Sequence, residues 1–192
     1  GHFRNLSRLL EKQGVASIRM DYHGNGESDG EFYDFNFDDA LDDAKRIIAY
    51  AKSVEGIEEV CLLGFSFGGG VASLVANDEN CEKLVLISAA ANMPEISRKR
   101  YDNALKLENG NVYFSGFEMS EDFVKSIENK EMYSNCKNFT KDVLVIQAKN
   151  DLSVPYLFGV KYAVSYKNAR LHIVKNSGHG YDSIENRDEL YS

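Results

Sequence analysis

The fold is decided by Glu58-Glu59-Val60-Cys61-Leu62-Leu63-Gly64-Phe65-Ser66-Phe67-Gly68-Gly69-Gly70-Val71-Ala72-Ser73-Leu74-Val75-Ala76. Val60 to Leu63 is apolar without alternation, which predicts a strand covered on both faces, with Cys61 a small buried hydrophobe. Ser66 follows at once, and glycine and small residues then open a helix. A serine on so sharp a strand-to-helix turn sits in strained backbone, and Gly64 and Gly68 leave room where the helix doubles back over the strand. Its hydroxyl is carried to the carboxyl end of a sheet, beside the free N–H groups of a helix N-terminus. Gly64-Phe65-Ser66-Phe67-Gly68 therefore reads as a nucleophile elbow, and the Phe67 N–H as an oxyanion donor.

Gly26-Glu27-Ser28-Asp29-Gly30 fits the same G-x-S-x-G pattern. It follows polar loop residues, no small-residue helix comes after it, and the flanking carboxylates would oppose a developing oxyanion. Context selects Ser66. The glycines of residues 23–30 also suggest a dinucleotide loop, but Asp29 stands where the third glycine belongs and no helix opens after it.

Outward from the elbow, strands alternate with helices. Residues 3–13 carry Leu6, Leu9 and Leu10 at helical spacing, with Gly14 as a stop. Val15–Tyr22 reads as a strand. Asp38, Asp39, Asp42 and Asp43 open a helix to about Ser53, and the macrodipole accounts for that carboxylate cluster better than a metal does. Lys83–Ser88, Val143–Ala148 and Arg170–Val174 read as further strands, with a helix near Pro155–Val164. The alternation predicts a mostly parallel sheet with helices on both faces. Residues 91–140 break the rhythm. Asn109-Gly110 between two alternating runs predicts a hairpin with a type I′ turn, and Ser120 caps a helix bearing Phe123 and Ile127. We read a single domain, 1–192, with this segment inserted as a cap.

A serine hydroxyl needs a base, and the base needs an orienting carboxylate. Strand 143–148 is followed by Asp151, and strand 170–174 by the loop holding His179. Loops after parallel strands open on one edge, so Ser66, Asp151 and His179 converge there in the chain order Ser, Asp, His. The other histidines are less suited: His172 lies in a strand, His2 at a helix start, and His23 lacks a carboxylate in that order. Asp142 precedes its strand and faces the opposite edge.

The chain has 192 residues, with 30 acidic against 22 basic side chains and a formal charge of −8. With no basic stripe, nucleic acid and anionic membrane are not expected partners. Three scattered cysteines form neither a disulfide framework nor a metal set, which suggests a reducing compartment. No signal peptide or long apolar run is visible, so the expected location is cytoplasmic. No cofactor is called for.

With these residues in view, the chain resembles an α/β-hydrolase and, within that fold, the bacterial cinnamoyl/feruloyl esterases with an inserted cap. The likeness rests on residues 14–30, the elbow, Ala148-Lys149-Asn150-Asp151 with Val154-Pro155, and Asn176-Ser177-Gly178-His179-Gly180. It implies a serine esterase acting through an acyl-enzyme on hydroxycinnamate (feruloyl or coumaroyl) esters. In the family a strand before the first helix lies between strands 15–22 and 60–65, and the loop after it supplies a second oxyanion donor. Neither is found here, so the chain resembles a fragment lacking N-terminal strands. Thioesterase, lipase or peptidase activity suits the same machinery, and a non-catalytic binding module is the alternative of another class. The insert carries Tyr101, Tyr113, Phe114, Phe117, Met119, Met132 and Tyr133, expected to line the substrate site above Ser66.

Overall fold

The computed structural model describes residues 2–114 and 116–191. The chain opens with α1 (His2–Lys12), closed by Gly14, whose N–H bonds the Glu11 carbonyl. After the loop at 23–30 comes α2 (Phe37–Ser53), capped by the Asn36 side chain accepting from the Asp39 N–H. The strand–helix rhythm follows as β1 (Cys61–Phe65), α3 (Phe67–Val75) and β2 (Lys83–Ile87). The insert holds α4 (Met93–Asn103), β3 (Leu105–Lys106), β4 (Val112–Phe114), β5 (Phe117–Met119) and α5 (Glu121–Ile127). Then come β6 (Asp142–Ala148), α6 (Tyr156–Ser165), β7 (Ala169–Val174) and α7 (Ile184–Tyr191).

The main sheet is parallel, in the order β1-β2-β6-β7. Strands laid down in sequence order by right-handed crossovers put α3 and α6 on one face. There Leu84, Leu86, Val143 and Val145 meet α2, α3 and α6 in the larger core. On the other face Ile87, Ile146, Ala148 and Val174 pack with Phe65, Tyr181 and Leu190. Parallel strands carry the chain to one carboxyl edge four times, after Phe65, Ile87, Ala148 and Val174.

Four local expectations need correction. Val15–Tyr22 runs extended but pairs with no strand among the described residues, and Val15 and Ile18 are exposed. A strand is made by its ladder, and none of the four main strands offers one here. For the same reason β1 is an edge strand, paired only with β2 among the described residues, and Cys61 is exposed rather than buried. The turn at Asn109-Gly110 is closed by the Gly110 N–H on the Leu107 carbonyl, and only Gly110 takes positive φ, at 87°. A type I′ turn requires positive φ at two successive residues, so it is not formed; a side-chain bond from Asn109 to Glu118 helps to fix the turn instead. Finally, only Gly64 of the two elbow glycines is sterically required. A Cβ on Gly64 would lie 2.2 Å from the Gly68 carbonyl oxygen, whereas one on Gly68 meets nothing nearer than the Tyr22 hydroxyl at 3.6 Å.

The insert forms a three-stranded antiparallel sheet, β3-β4-β5, with a small core of Tyr101, Val112 and Val124. It is anchored to the body at several points. Lys130 pairs with Asp38 at 2.6 Å, the Ser126 hydroxyl accepts from the Phe37 N–H at 2.9 Å, and Ile127 and Met132 enter the larger core.

Candidate active site

Ser66 takes φ 53° and ψ −117°, one of four positive-φ non-glycine residues among those described. The conformation is held from several sides. The Ser66 N–H bonds the Ile87 carbonyl at 2.9 Å, and its own carbonyl accepts from Ala90 N–H at 2.9 Å and Gly70 N–H at 3.1 Å. Close contact of α3 with the segment after β2 demands Gly69 as well, since a Cβ there would lie 2.6 Å from the Ala89 Cβ. Ser66 is the N-cap of α3, yet its hydroxyl makes no capping bond. The Ser66 Oγ instead lies 2.8 Å from His179 Nε2.

The opposite ring nitrogen, His179 Nδ1, lies 2.7 Å from Asp151 Oδ2. The second carboxylate oxygen accepts from the backbone N–H groups of Ser153 and Val154, at 2.9 and 2.8 Å. Asp151 is 5% exposed. Burial opposes its charge, but the hydrogen bonds from His179 and Val154 outweigh it and hold the carboxyl below its ordinary value. The charged form therefore faces Nδ1, which fixes the tautomer: Nδ1 carries the proton, and Nε2 is left to accept from Ser66. The His179 ring stacks on Phe65, centroids 5.0 Å apart.

The rival serine is otherwise engaged. The Ser28 hydroxyl donates to the Asp21 carbonyl at 2.7 Å, inside a loop where Asp21 Oδ2 also accepts from the Glu27 N–H. His23 is exposed, with its backbone N–H on Asp43, and His172 pairs with Glu189 at 2.9 Å. The acidic start of α2 is spent on local contacts: Asp39 accepts from the Asn36 side chain, Asp43 from His23, and Asp38 meets Lys130. No three such residues form a metal-holding group among the described residues.

The insert's aromatic residues divide. Tyr101 is buried in the insert's own core, its hydroxyl on the Gly110 carbonyl at 2.7 Å, and Met119 packs beside that core. Tyr113 is 54% exposed. The Phe114 side chain lies outside the described residues. Tyr133 rests on Tyr162, with ring centroids at 4.6 Å. Met132 approaches the elbow helix, its Cε 2.9 Å from the site a Gly70 Cβ would fill. Phe117, 55% exposed, lies against Phe32 at 4.7 Å.

Other side chains surround the elbow, and of these only Phe123 was named from the sequence. Phe67 is ringed by Tyr22, Phe35, Phe37 and Phe123, with centroids between 5.5 and 6.3 Å. Phe35 in turn touches Phe32. Helical spacing puts Phe123 and Ile127 on one face of α5, a usable signal; Phe32 and Phe35 lie in and beside a short 3-10 turn, where no period exists to read. Open clefts of about 470 and 390 Å³ lie along residues 4–19 and 20–50, and neither is lined by Ser66, Asp151 or His179. The hydrogen-bonded relay, rather than cleft size, therefore marks the candidate site.

Comparison with known proteins agrees with this fold. Residues 1–148 match the family described as serine aminopeptidase, S33, and residues 122–187 match a second described as TAP-like protein. The AB hydrolase superfamily protein YisY of Bacillus subtilis is 36% identical over 85 residues, 43% of this chain and 30% of that protein. A 2-hydroxy-6-oxononadienedioate/2-hydroxy-6-oxononatrienedioate hydrolase of Cupriavidus pinatubonensis is 27% identical, across 64% of this chain and 56% of its own length. The chain thus spans less than two thirds of either curated relative. Among solved structures, Est1E of Butyrivibrio proteoclasticus with ferulic acid bound superposes with a TM-score of 0.88 at 27% identity, covering 99% of this chain and 78% of that one.

Proposed function

Because the chain belongs to the serine aminopeptidase S33 family of α/β-hydrolases, we propose that it is a serine carboxylic-ester hydrolase acting on hydroxycinnamate esters. The observation that carries the proposal is the unbroken relay from Ser66 Oγ through His179 to Asp151, at 2.8 and 2.7 Å. In this reading His179 Nε2 takes the Ser66 proton as Oγ attacks the ester carbonyl. Asp151 steadies the imidazolium, and the Phe67 N–H, first in α3 and without an intrahelical acceptor, receives the oxyanion. The proton then passes from Nε2 to the departing alcohol. Water, deprotonated by the same nitrogen, attacks the acyl-enzyme and releases the acid and Ser66.

The acyl group is proposed to lie against the aromatic cluster of Phe32, Phe35, Phe67, Phe117 and Phe123, with Met132 beside it. Support comes from the density of rings next to the elbow and from the likeness to a protein whose solved structure has ferulic acid bound. A planar aromatic acid gains about 0.5–1.5 kcal/mol per ring contact beyond the burial of its area. The test compares methyl ferulate with a short aliphatic ester for the wild type and Ser66→Ala. Turnover of both, faster for the ferulate and lost in Ser66→Ala, supports the proposal. Turnover of only the aliphatic ester removes the hydroxycinnamate assignment, and turnover that survives Ser66→Ala removes the nucleophile.

A further inference from the structure

Four strand ends meet at the site, and only three are used by the relay. The fourth, after β2, delivers Ser88, fully buried and held at φ 40°. Its hydroxyl lies 2.9 Å from the Tyr181 hydroxyl and 3.3 Å from Gln147 Nε2. Gln147, also fully buried, brings that nitrogen to 3.4 Å from Asp151 Oδ2, the oxygen that faces His179. A hydrogen bond from Ser88 is among the influences that keep the Asp151 carboxyl low.

Tyr181 reaches His179 by two further routes. Its N–H bonds the Gly178 carbonyl at 3.3 Å, closing the turn on which His179 sits. Its ring meets Phe65 edge-on at 6.2 Å, and Phe65 is the surface on which the His179 ring stacks. Tyr181 is itself held at φ 49°. Two of the four positive-φ non-glycine residues among those described are thus the two partners of one buried hydrogen bond. Such conformations persist only where the surroundings over-determine them, and they concentrate at functional sites. A tyrosine that merely filled the core would need neither the strained backbone nor a hydroxyl aimed at the acid's own neighbours.

We propose that Tyr181, through Ser88 and Gln147 on one side and Phe65 on the other, is a positioning residue that fixes Asp151 and His179 in the geometry their relay requires. The phenol stays protonated, because burial pushes it up to about 12. It can therefore donate to Ser88 Oγ and leave the Ser88 proton for the acid. The proposal rests on the esterase reading above, so its test includes a readout independent of turnover.

Tyr181→Phe keeps the ring and removes the hydroxyl; Ser88→Ala keeps the Cβ and adds no backbone strain. Each is expected to lower kcat on a chromogenic short-chain ester about three- to tenfold, the worth of one buried hydrogen bond, with KM within about twofold. The double variant should fall no further than the lower single one, since both break one connection. In 15N-labelled protein the His179 Nδ1–H resonance should shift or broaden in both variants. Unchanged kcat and an unchanged resonance, or losses that multiply in the double variant, overturn the proposal. If the wild type hydrolyses no ester, the resonance alone decides, and the positioning role stands or falls apart from the esterase reading.

Discussion

Gly64→Ala separates what the elbow needs from what its pattern suggests. The added methyl would stand 2.2 Å from the Gly68 carbonyl oxygen, 2.5 Å from its carbon and 2.7 Å from Gly69 Cα, all backbone atoms of the helix carrying the elbow. Ordinary contact begins near 3.4 Å, so α3 must retreat from β1 by about 1 Å, and overpacking of this kind costs about 1–3 kcal/mol. For a domain of this size that lowers Tm by about 2–12 °C. The larger effect falls on turnover. Ser66 rides on the first turn of α3, and a displacement of about 1 Å from the attacking geometry costs about 100-fold. Gly68→Ala is the control, because its Cβ meets only the Tyr22 hydroxyl at 3.6 Å, and alanine is the better helix former by about 0.5–1 kcal/mol. Calorimetry and hydrolysis of a chromogenic ester are the assays. A Gly64→Ala protein with wild-type Tm and turnover refutes the steric account of the elbow, and so does a Gly68→Ala protein that loses both.

His179→Ala should reduce ester hydrolysis at least about 1,000-fold, with His23→Ala and His172→Ala within about twofold of the wild type; a dead His23 variant would transfer the base to the glycine loop. Asp151, held below its ordinary value of 3.8, contributes stability that is whole above that value and is lost as pH falls through the lower folded one. Urea unfolding from pH 5 to pH 2 should therefore show a shallower loss of stability in Asp151→Asn than in the wild type, and parallel curves would contradict the assignment. Phe123→Ala should lower kcat/KM for methyl ferulate about tenfold, or about 1.4 kcal/mol, while sparing a short aliphatic ester. Equal losses on both substrates would place Phe123 in the core of the fold rather than in the acyl wall.

The elements that carry the candidate site were largely legible, because their signals are local. An apolar run ending in Gly-Phe-Ser-Phe-Gly dictates its own turn, and β6 and β7 announce themselves by apolar runs before Asp151 and His179. What escaped depends on neighbours distant in sequence. Cys61 looked central because its strand is apolar, yet a run of residues does not record whether both its edges are paired. Gly64 and Gly68 look equivalent in the motif, and only the path of α3 over β1 distinguishes them. Tyr101 and Phe123 are both aromatic residues of the insert and both meet its core, but only Phe123 also reaches Phe67. Gln147 gave a faint signal, as a lone polar residue in a buried strand; its partners Ser88 and Tyr181 gave none, since their hydroxyls meet across 93 residues of sequence.

The central claim is that Ser66, activated by His179, is the nucleophile, and covalent labelling tests it most directly. A fluorophosphonate ester captures only a serine whose proton is taken by a neighbouring base. The account predicts one equivalent of label, mapped by peptide mass spectrometry to the peptide containing Ser66, and its near-complete loss in His179→Ala. Label on Ser28, or none on the folded wild-type protein, would contradict it.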